Sequence, residues 1–382
     1  MTGGRAEPGR WAWAEIDLDA IEHNVRVMRA VSSPAGLWAV VKADGYGHGA
    51  IDVARAALDA GADGLCVALV DEGLRLREAG LDAPILLLSE QPLDRIGDVV
   101  THRLTATVYT PSYVSALAEY DGTLPVHVNI DTGMQRVGVG HVDLAALVAA
   151  LEGSTLEVGG IYTHLACADE PASPANVLQL ERFDRALATL RRSGLDVALE
   201  HAGNSGAALA LPDARRSFVR VGIAMYGISP GAGVDHLCGD LRPALALNAR
   251  VSYVKRVEAG SSVSYGWRHR FDQPTTVATV PIGYADGVPR RLGTLPDRAG
   301  ADVLIGGRRR PIVGVVTMDQ FMVDVGDADV TVGDQVVLIG EQGGEQIRAE
   351  DWADRLGTIG YEIVCGISAR VPRVVRDRPD PA

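Results

Sequence analysis

Between Leu37 and Val221 the chain repeats one pattern: a short apolar run, a turn, then a stretch with helical spacing. The apolar runs are Leu37–Val41, Gly64–Ala68, Ile85–Leu88, Thr105–Tyr109, Val126–Ile130, Val158–Thr163, Val197–Glu200 and Phe218–Val221. Between them lie Ala50–Ala60, Val70–Ala79, Leu93–Val99, Pro111–Glu119, Val142–Leu151, Pro174–Ser193 and Ser205–Ala210. Continuous apolar runs of this length suit strands buried on both faces, and strands that alternate with helices pair in parallel. Eight such units predict an α/β fold, a parallel (β/α)8 barrel. An open doubly wound sheet shares the same periodicity, but eight strands would make it a large one.

The texture changes after about residue 240. Helical patterns nearly vanish, and Ala249–Val254, Thr276–Pro281, Asp302–Ile305, Pro311–Val316 and Gln335–Ile339 read as strands separated by turn signals. The expected organisation is a barrel over residues 15–240, followed by a mostly β C-terminal domain over 241–382. The boundary falls within Ser229–Leu241, rich in Gly and Asp. Trp11–Leu18 alternates apolar and polar residues as a strand does, and residues 11–14 are expected to join the later β domain. Asp19 is the expected cap of a helix over Ala20–Val31.

Composition narrows the function classes. The net charge of −13 argues against a nucleic-acid partner. Cys66, Cys167, Cys238 and Cys365 lack metal-ligand spacing, so no metal is expected, and such sparse use fits a reducing, cytoplasmic compartment. No apolar run reaches the roughly 18 residues of a membrane span, and Met1–Arg10 is polar and glycine-rich without the apolar segment of a signal peptide.

The chemistry gathers at Ala39-Val40-Val41-Lys42-Ala43-Asp44-Gly45-Tyr46-Gly47-His48-Gly49. Lys42 closes a buried strand, where barrel enzymes keep their chemistry. Gly45, Gly47 and Gly49 permit a sharp turn into the next helix. An amine so placed can form a Schiff base with an aldehyde cofactor. An isolated strand-end lysine is ordinarily a solvated surface residue; the surrounding string is what gives this one meaning.

That string resembles the pyridoxal-phosphate lysine motif of the alanine racemase family, a fold type III barrel family. The resemblance runs from about Trp13 to Arg373 and rests on strings in the family's order. They include Asp131-Thr132-Gly133-Met134-Gln135-Arg136-Val137-Gly138, Thr163-His164, His201-Ala202-Gly203-Asn204-Ser205, Val219-Arg220-Val221-Gly222-Ile223, Val263-Ser264-Tyr265-Gly266, Pro281-Ile282-Gly283-Tyr284, Thr317-Met318-Asp319 and Arg370-Val371-Pro372-Arg373.

The resemblance implies a racemase that interconverts L- and D-alanine, a small amino-acid substrate, with pyridoxal 5'-phosphate and two bases. Lys42 would hold the cofactor and serve the D enantiomer; Tyr265 would serve the L enantiomer. Cofactor contacts would come from Lys42, Tyr46, Arg136, His164, Asn204, Ser205, Arg220, Gly222 and Ile223. Substrate contacts would come from Arg136, Tyr265, Tyr284 and the Met318 N–H, with Tyr284 at the entrance. Arg220 would face the pyridine nitrogen; since arginine keeps its proton, that nitrogen stays unprotonated and return of the proton to the substrate carbon is favoured. A head-to-tail homodimer with Tyr265 supplied in trans is implied too, as is a role in D-alanine biosynthesis for peptidoglycan precursors.

Three positions depart from the family pattern. Asn129 stands where many members have a carbamylated lysine, so a small anion such as chloride is expected to compensate beside Arg136. Ala369 replaces a tyrosine, and Val315 replaces an arginine that would pair with Asp169 at the entrance. These departures leave open racemisation of another small amino acid such as serine. A fold type III decarboxylase is the alternative chemistry; it would place a carboxylate, not Arg220, at the ring nitrogen.

Overall fold

The computed structural model describes residues 9–120, 125–195, 197, 199–294 and 298–376. The chain divides into two compact units, one spanning Asp19–Arg242 and the other combining the segment ending at Leu18 with the segment starting at Pro243.

The unit Asp19–Arg242 is built on eight parallel strands: Gly36–Val40, Gly64–Val67, Ile85–Leu87, Ala106–Val108, Pro125–Asn129, Glu157–Tyr162, Leu199–His201 and Phe218–Val221. They form two four-stranded sheets, with the order third-second-first-eighth in one and fourth-fifth-sixth-seventh in the other. Two seams close the ring. At one, Leu87 N donates to Thr105 O (3.0 Å) and Thr105 N to Ile85 O (2.8 Å). At the other, Ser217 N donates to Glu200 O (2.9 Å) and Arg220 N to Gly203 O (2.8 Å). The expected barrel is therefore present. The seventh strand sits later than expected, at Leu199–His201 against 197–200, and Ala198 lies outside the described residues. The reading of Met1–Arg10 also falls largely outside them.

Aromatic and imidazole rings fill part of the barrel interior. Trp38 stacks on Phe218 (4.7 Å between ring centres), Phe218 on His201 (4.1 Å) and His201 on Tyr162 (4.7 Å). Glycines make the room: a Cβ at Gly64 would lie 2.8 Å from the Trp38 ring, and one at Gly160 would lie 2.6 Å from His127. The helices lay small or branched apolar faces on the outside. Ala50–Asp59, for instance, buries Ala50, Val53, Ala54, Ala56 and Ala57. The first helix runs Leu18–Ser32, so Asp19 lies in its first turn and does not cap it. There its charge still favours the positive end of the helix dipole.

In the other unit nine strands follow one another across a sheet: Tyr253–Val257, Thr275–Val280, Phe321–Gly326, Arg308–Val313, Asp302–Ile305, Gln335–Gln342, Leu245–Arg250, Ala12–Ile16 and Arg373–Val375. Ala12–Ile16 runs antiparallel to Leu245–Arg250, with Ala12 opposite Ala249, and its residues alternate between buried and half-buried. The run Ala249–Val254 is two strands, because the chain turns at Val251 and Ser252, whose N–H groups bond Asp334 O and Thr279 O. Two helices, Ala349–Leu356 and Gly360–Cys365, occupy a region that reads as nearly helix-free. The Asp351 carboxylate accepts from Arg348 N at the start of the first, and Gly357 ends it in the left-handed region at φ 72°.

Candidate active site

Lys42 leaves the C-terminal end of the first barrel strand, half-buried. The turn that follows is left-handed over four residues: Ala43 (φ 53°), Asp44 (φ 53°), Gly45 (φ 61°) and Tyr46 (φ 52°). Backbone bonds from Gly45 N to Val41 O and from Gly47 N to Ala43 O, both 2.9 Å, close it. Each non-glycine residue held this way costs roughly 1–2 kcal/mol. The glycines of the string suggest a sharp turn; the left-handed conformation of Ala43, Asp44 and Tyr46 has no local signal.

Arg220 lies at the end of the eighth strand, 3% exposed. Its Nη1 donates to His201 Nδ1 (2.7 Å) and His201 O (3.2 Å), and its Nη2 donates to Thr163 O (2.8 Å). Nη2 also lies 3.4 Å from His164 Nδ1, and the guanidinium sits 5.0 Å over the Tyr162 ring. Among the described residues its hydrogen-bond partners include no carboxylate. Burial pushes His164 down to about 3, helped by the charges of Arg220, Arg136 and Lys42. Burial raises Cys66 to about 12, although Arg220 and Lys42 pull the other way. Lys42, Arg136, His164 and Arg220 thus share one electrostatic neighbourhood.

Arg136 is exposed on the loop after the fifth strand. Asp131 Oδ1 organises that loop, accepting from Gly133 N (2.9 Å) and Gln135 N (3.1 Å). The loop folds back at Gly138 (φ 110°), where a Cβ would lie 2.7 Å from Asp131 N. Asn129 is buried beside it, yet no hydrogen bond joins Asn129 to the Arg136 guanidinium among the described residues.

Polar groups converge between the seventh and eighth strand ends. Gly222 N donates to Ser205 Oγ (2.9 Å), and a Cβ at Gly222 would lie 2.6 Å from Tyr46 Oη. Ser205 opens the helix Ser205–Ala210, and Ile223 opens the short turn Ile223–Tyr226 after the eighth strand. A hydroxyl, a phenol and backbone N–H groups at a barrel mouth form a donor set suited to a phosphate monoester. Asn204 plays the capping part: its Oδ1 accepts from Ala207 N (3.1 Å) and its Nδ2 donates to Leu165 O (3.2 Å).

Tyr265, Tyr284 and Met318 belong to the other unit, where all three are exposed, Tyr265 at 73%. Ser264, at φ 63°, sends its hydroxyl to Val315 O (2.8 Å) and so fixes the backbone before Tyr265. The Tyr284 and Met318 loops lie against each other, with Tyr284 N on Thr317 O (2.9 Å) and Ala285 N on Met318 O (3.0 Å).

Residues that sequence reasoning left out of the site complete it. His127 and Tyr162 ring the Arg220 neighbourhood, and Glu72 grips the turn after Lys42 at Ala43 N (2.6 Å). His127 carried one usable signal: it stands between Val126 and Val128, a polar residue inside an apolar run of the barrel.

Residues 16–230 match the family model described as alanine racemase, N-terminal domain, and residues 244–375 match the alanine racemase C-terminal domain. The chain is 47% identical over 372 residues to the alanine racemase of Symbiobacterium thermophilum, covering 95% of this chain and 97% of that protein. It is 44% identical over 376 residues to that of Thermobifida fusca, covering 95% and 98%. A crystal structure of alanine racemase from Bacillus anthracis with bound L-Ala-P is similar with a TM-score of 0.91 at 41% identity, covering 97% of this chain and 96% of that one. Since the barrel and the β unit are each matched, in the same order and over nearly their whole lengths, the chain belongs to the alanine racemase family.

Proposed function

We propose that this chain is an isomerase, a pyridoxal 5'-phosphate-dependent racemase of alanine. The observation that carries this reading is the cluster at the barrel mouth: the Lys42 amine, the buried Arg220 with no carboxylate bonded to it among the described residues, and the Ser205–Gly222–Tyr46 cradle. These residues suit the cofactor's aldehyde, ring nitrogen and phosphate in turn. When bound, the cofactor supplies an electron sink that acidifies the substrate's Cα hydrogen.

The remaining work belongs to the protein. Lys42 moves the proton on one face of the substrate, for the D enantiomer, and Tyr265 moves it on the other, for the L enantiomer. Arg220, fixed by His201 and Thr163, would face the ring nitrogen and keep its own proton there. Arg136 and the Met318 N–H orient the substrate carboxylate, and holding that geometry supplies much of the rate. His164, kept neutral, orders Tyr265; Tyr284 lines the entrance. Tyr46, Asn204, Ser205, Gly222 and Ile223 would hold the phosphate.

The reading includes a head-to-tail homodimer in which Tyr265 of one subunit serves the Lys42 of the other, in the cytoplasm, with D-alanine supplied as a peptidoglycan precursor. The high exposure of Tyr265 on its own unit supports that arrangement. Among the described residues no helix is long and apolar enough to cross a membrane. The test is racemisation of a panel of small amino acids in deuterated water with added cofactor. Alanine is expected to racemise fastest and to gain deuterium at Cα; a faster reaction with serine reassigns the substrate, and carbon dioxide release without exchange refutes racemisation.

A further inference from the structure

The geometry points to Glu72 as a positioning residue for Lys42. Glu72 lies in the helix Val70–Glu78, after the second barrel strand. One carboxylate oxygen accepts from Ala43 N at 2.6 Å. The other accepts from Ala68 N (2.8 Å) and Leu69 N (3.1 Å), at the end of the second strand. A single carboxylate therefore ties the residue after Lys42 to the neighbouring strand end. One turn further along the same helix, Arg75 Nη2 reaches Asp44 Oδ1 at 3.3 Å.

The left-handed turn gives this grip its importance. Gly45 and Tyr46 are buried, so packing enforces their conformation. Ala43 and Asp44 are exposed, and packing does not. Both occupy a region that L-residues avoid, and they stay there only if hydrogen bonds outweigh the cost. The Arg75–Asp44 pair is itself exposed and contributes little. Asp44 is held besides by Ala50 N on its carboxylate (3.1 Å) and by Gly49 N on its carbonyl (2.9 Å). At Ala43 N the charge-assisted bond to Glu72 is the one that counts. If it is lost, Ala43 relaxes toward ordinary φ, and the direction in which Lys42 leaves its strand changes with it.

The test has an arm independent of chemistry. Hydrogen exchange at Ala43 N–H in the full chain, with and without cofactor, is expected to accelerate at least about tenfold in Glu72→Ala. Glu72→Gln keeps shape and fold; its amide oxygen takes the side with two donors, Ala68 N and Leu69 N, and turns its NH2 toward Ala43 N, so it follows Glu72→Ala and not the parent. Both variants should bind pyridoxal phosphate about tenfold more weakly in titrations followed by absorbance, with kcat falling more than KM changes. Ala43→Gly removes the penalty of the left-handed backbone, so Glu72→Ala/Ala43→Gly should recover part of the cofactor affinity.

Unchanged exchange at Ala43 overturns the clamp. Faster exchange with unchanged cofactor affinity overturns its link to Lys42, and a double variant no better than Glu72→Ala overturns the role of the left-handed turn. The inference rests on the reading of Lys42 as the cofactor's lysine. Borohydride labelling of a different lysine in the parent enzyme would sink that reading while leaving the exchange arm to judge the clamp.

Discussion

Arg220 Nη1 donates to His201 Nδ1 across 2.7 Å, and this contact sets the tautomer of a buried pair of histidines. A guanidinium only donates, so His201 carries its proton on Nε2. From there it donates to His127 Nδ1 at 3.0 Å, which leaves the His127 proton on its own Nε2. Neither ring takes a second proton without turning a donor against a donor. Burial, followed by the charge of Arg220, accordingly lowers His127 to about 4 and His201 well below its usual range.

Acid should therefore weaken the barrel before most carboxylates protonate. With the folded values depressed, the unfolded chain binds protons below roughly pH 6.5 that the folded chain refuses. Stability is full above that pH and declines as pH falls toward the folded values. Each of His127, His164 and His201 contributes up to about 1.4 kcal/mol per pH unit in this window. The urea midpoint measured from pH 7 to pH 5 should fall accordingly, and the fall should shrink in His127→Gln. A flat midpoint would contradict the neutral-imidazole assignment.

Replacing Lys42 with alanine should abolish racemisation and the covalent hold on the cofactor. Borohydride reduction of the loaded parent enzyme, followed by peptide mapping, should mark Lys42. A mark on Lys255, elsewhere in the chain, would move the site.

Tyr265→Phe should split the two directions. Solvent exchange at Cα is expected to persist with D-alanine, served by Lys42, and to drop by about two orders of magnitude with L-alanine, the usual scale for losing a positioned acid or base. Equal losses with both enantiomers would argue against the division of labour between the two bases.

Activity should not depend on bicarbonate, because Asn129 cannot be carbamylated. Its amide makes no hydrogen bond to Arg136 among the described residues, so restraint of that exposed guanidinium is left to a small anion or the substrate. Chloride is expected to lower KM for alanine with little change in kcat. Stimulation by bicarbonate in depleted buffer would refute this account of Asn129, and a KM indifferent to chloride would remove the anion from it.

The barrel was legible because its strands are continuous apolar runs set apart by helix-length intervals, as at Gly64–Val67 and Ile85–Leu87. The β unit was less so. Ala249–Val254 looks unbroken in sequence, and only the partners of Val251 and Ser252 divide it. Phe321–Gly326 alternates buried and half-buried residues, but in sequence Asp324 and Gly326 interrupt its apolar run. In the site, Lys42, Arg136, His164 and Arg220 stand out through the strings around them. Glu72 does not, because its role depends on an N–H group 29 positions away. The left-handed angles of Ala43 and Asp44 are likewise hidden, because they depend on which backbone and carboxylate bonds the folded turn makes.

Arg220 reaches across three strand ends, from its own position on the eighth to carbonyls at Thr163 and His201 on the sixth and seventh. Because the seam between the seventh and eighth strands has few backbone bonds, the side chain proposed to face the cofactor's ring nitrogen also rivets the wall. For anyone redesigning the reaction, position 220 is not a free dial. An acidic residue there, chosen to change the fate of the proton, would also place a charge against the Thr163 and His201 carbonyls and unfasten the circumference. A successful conversion has to rebuild the seam first and change the electronics second.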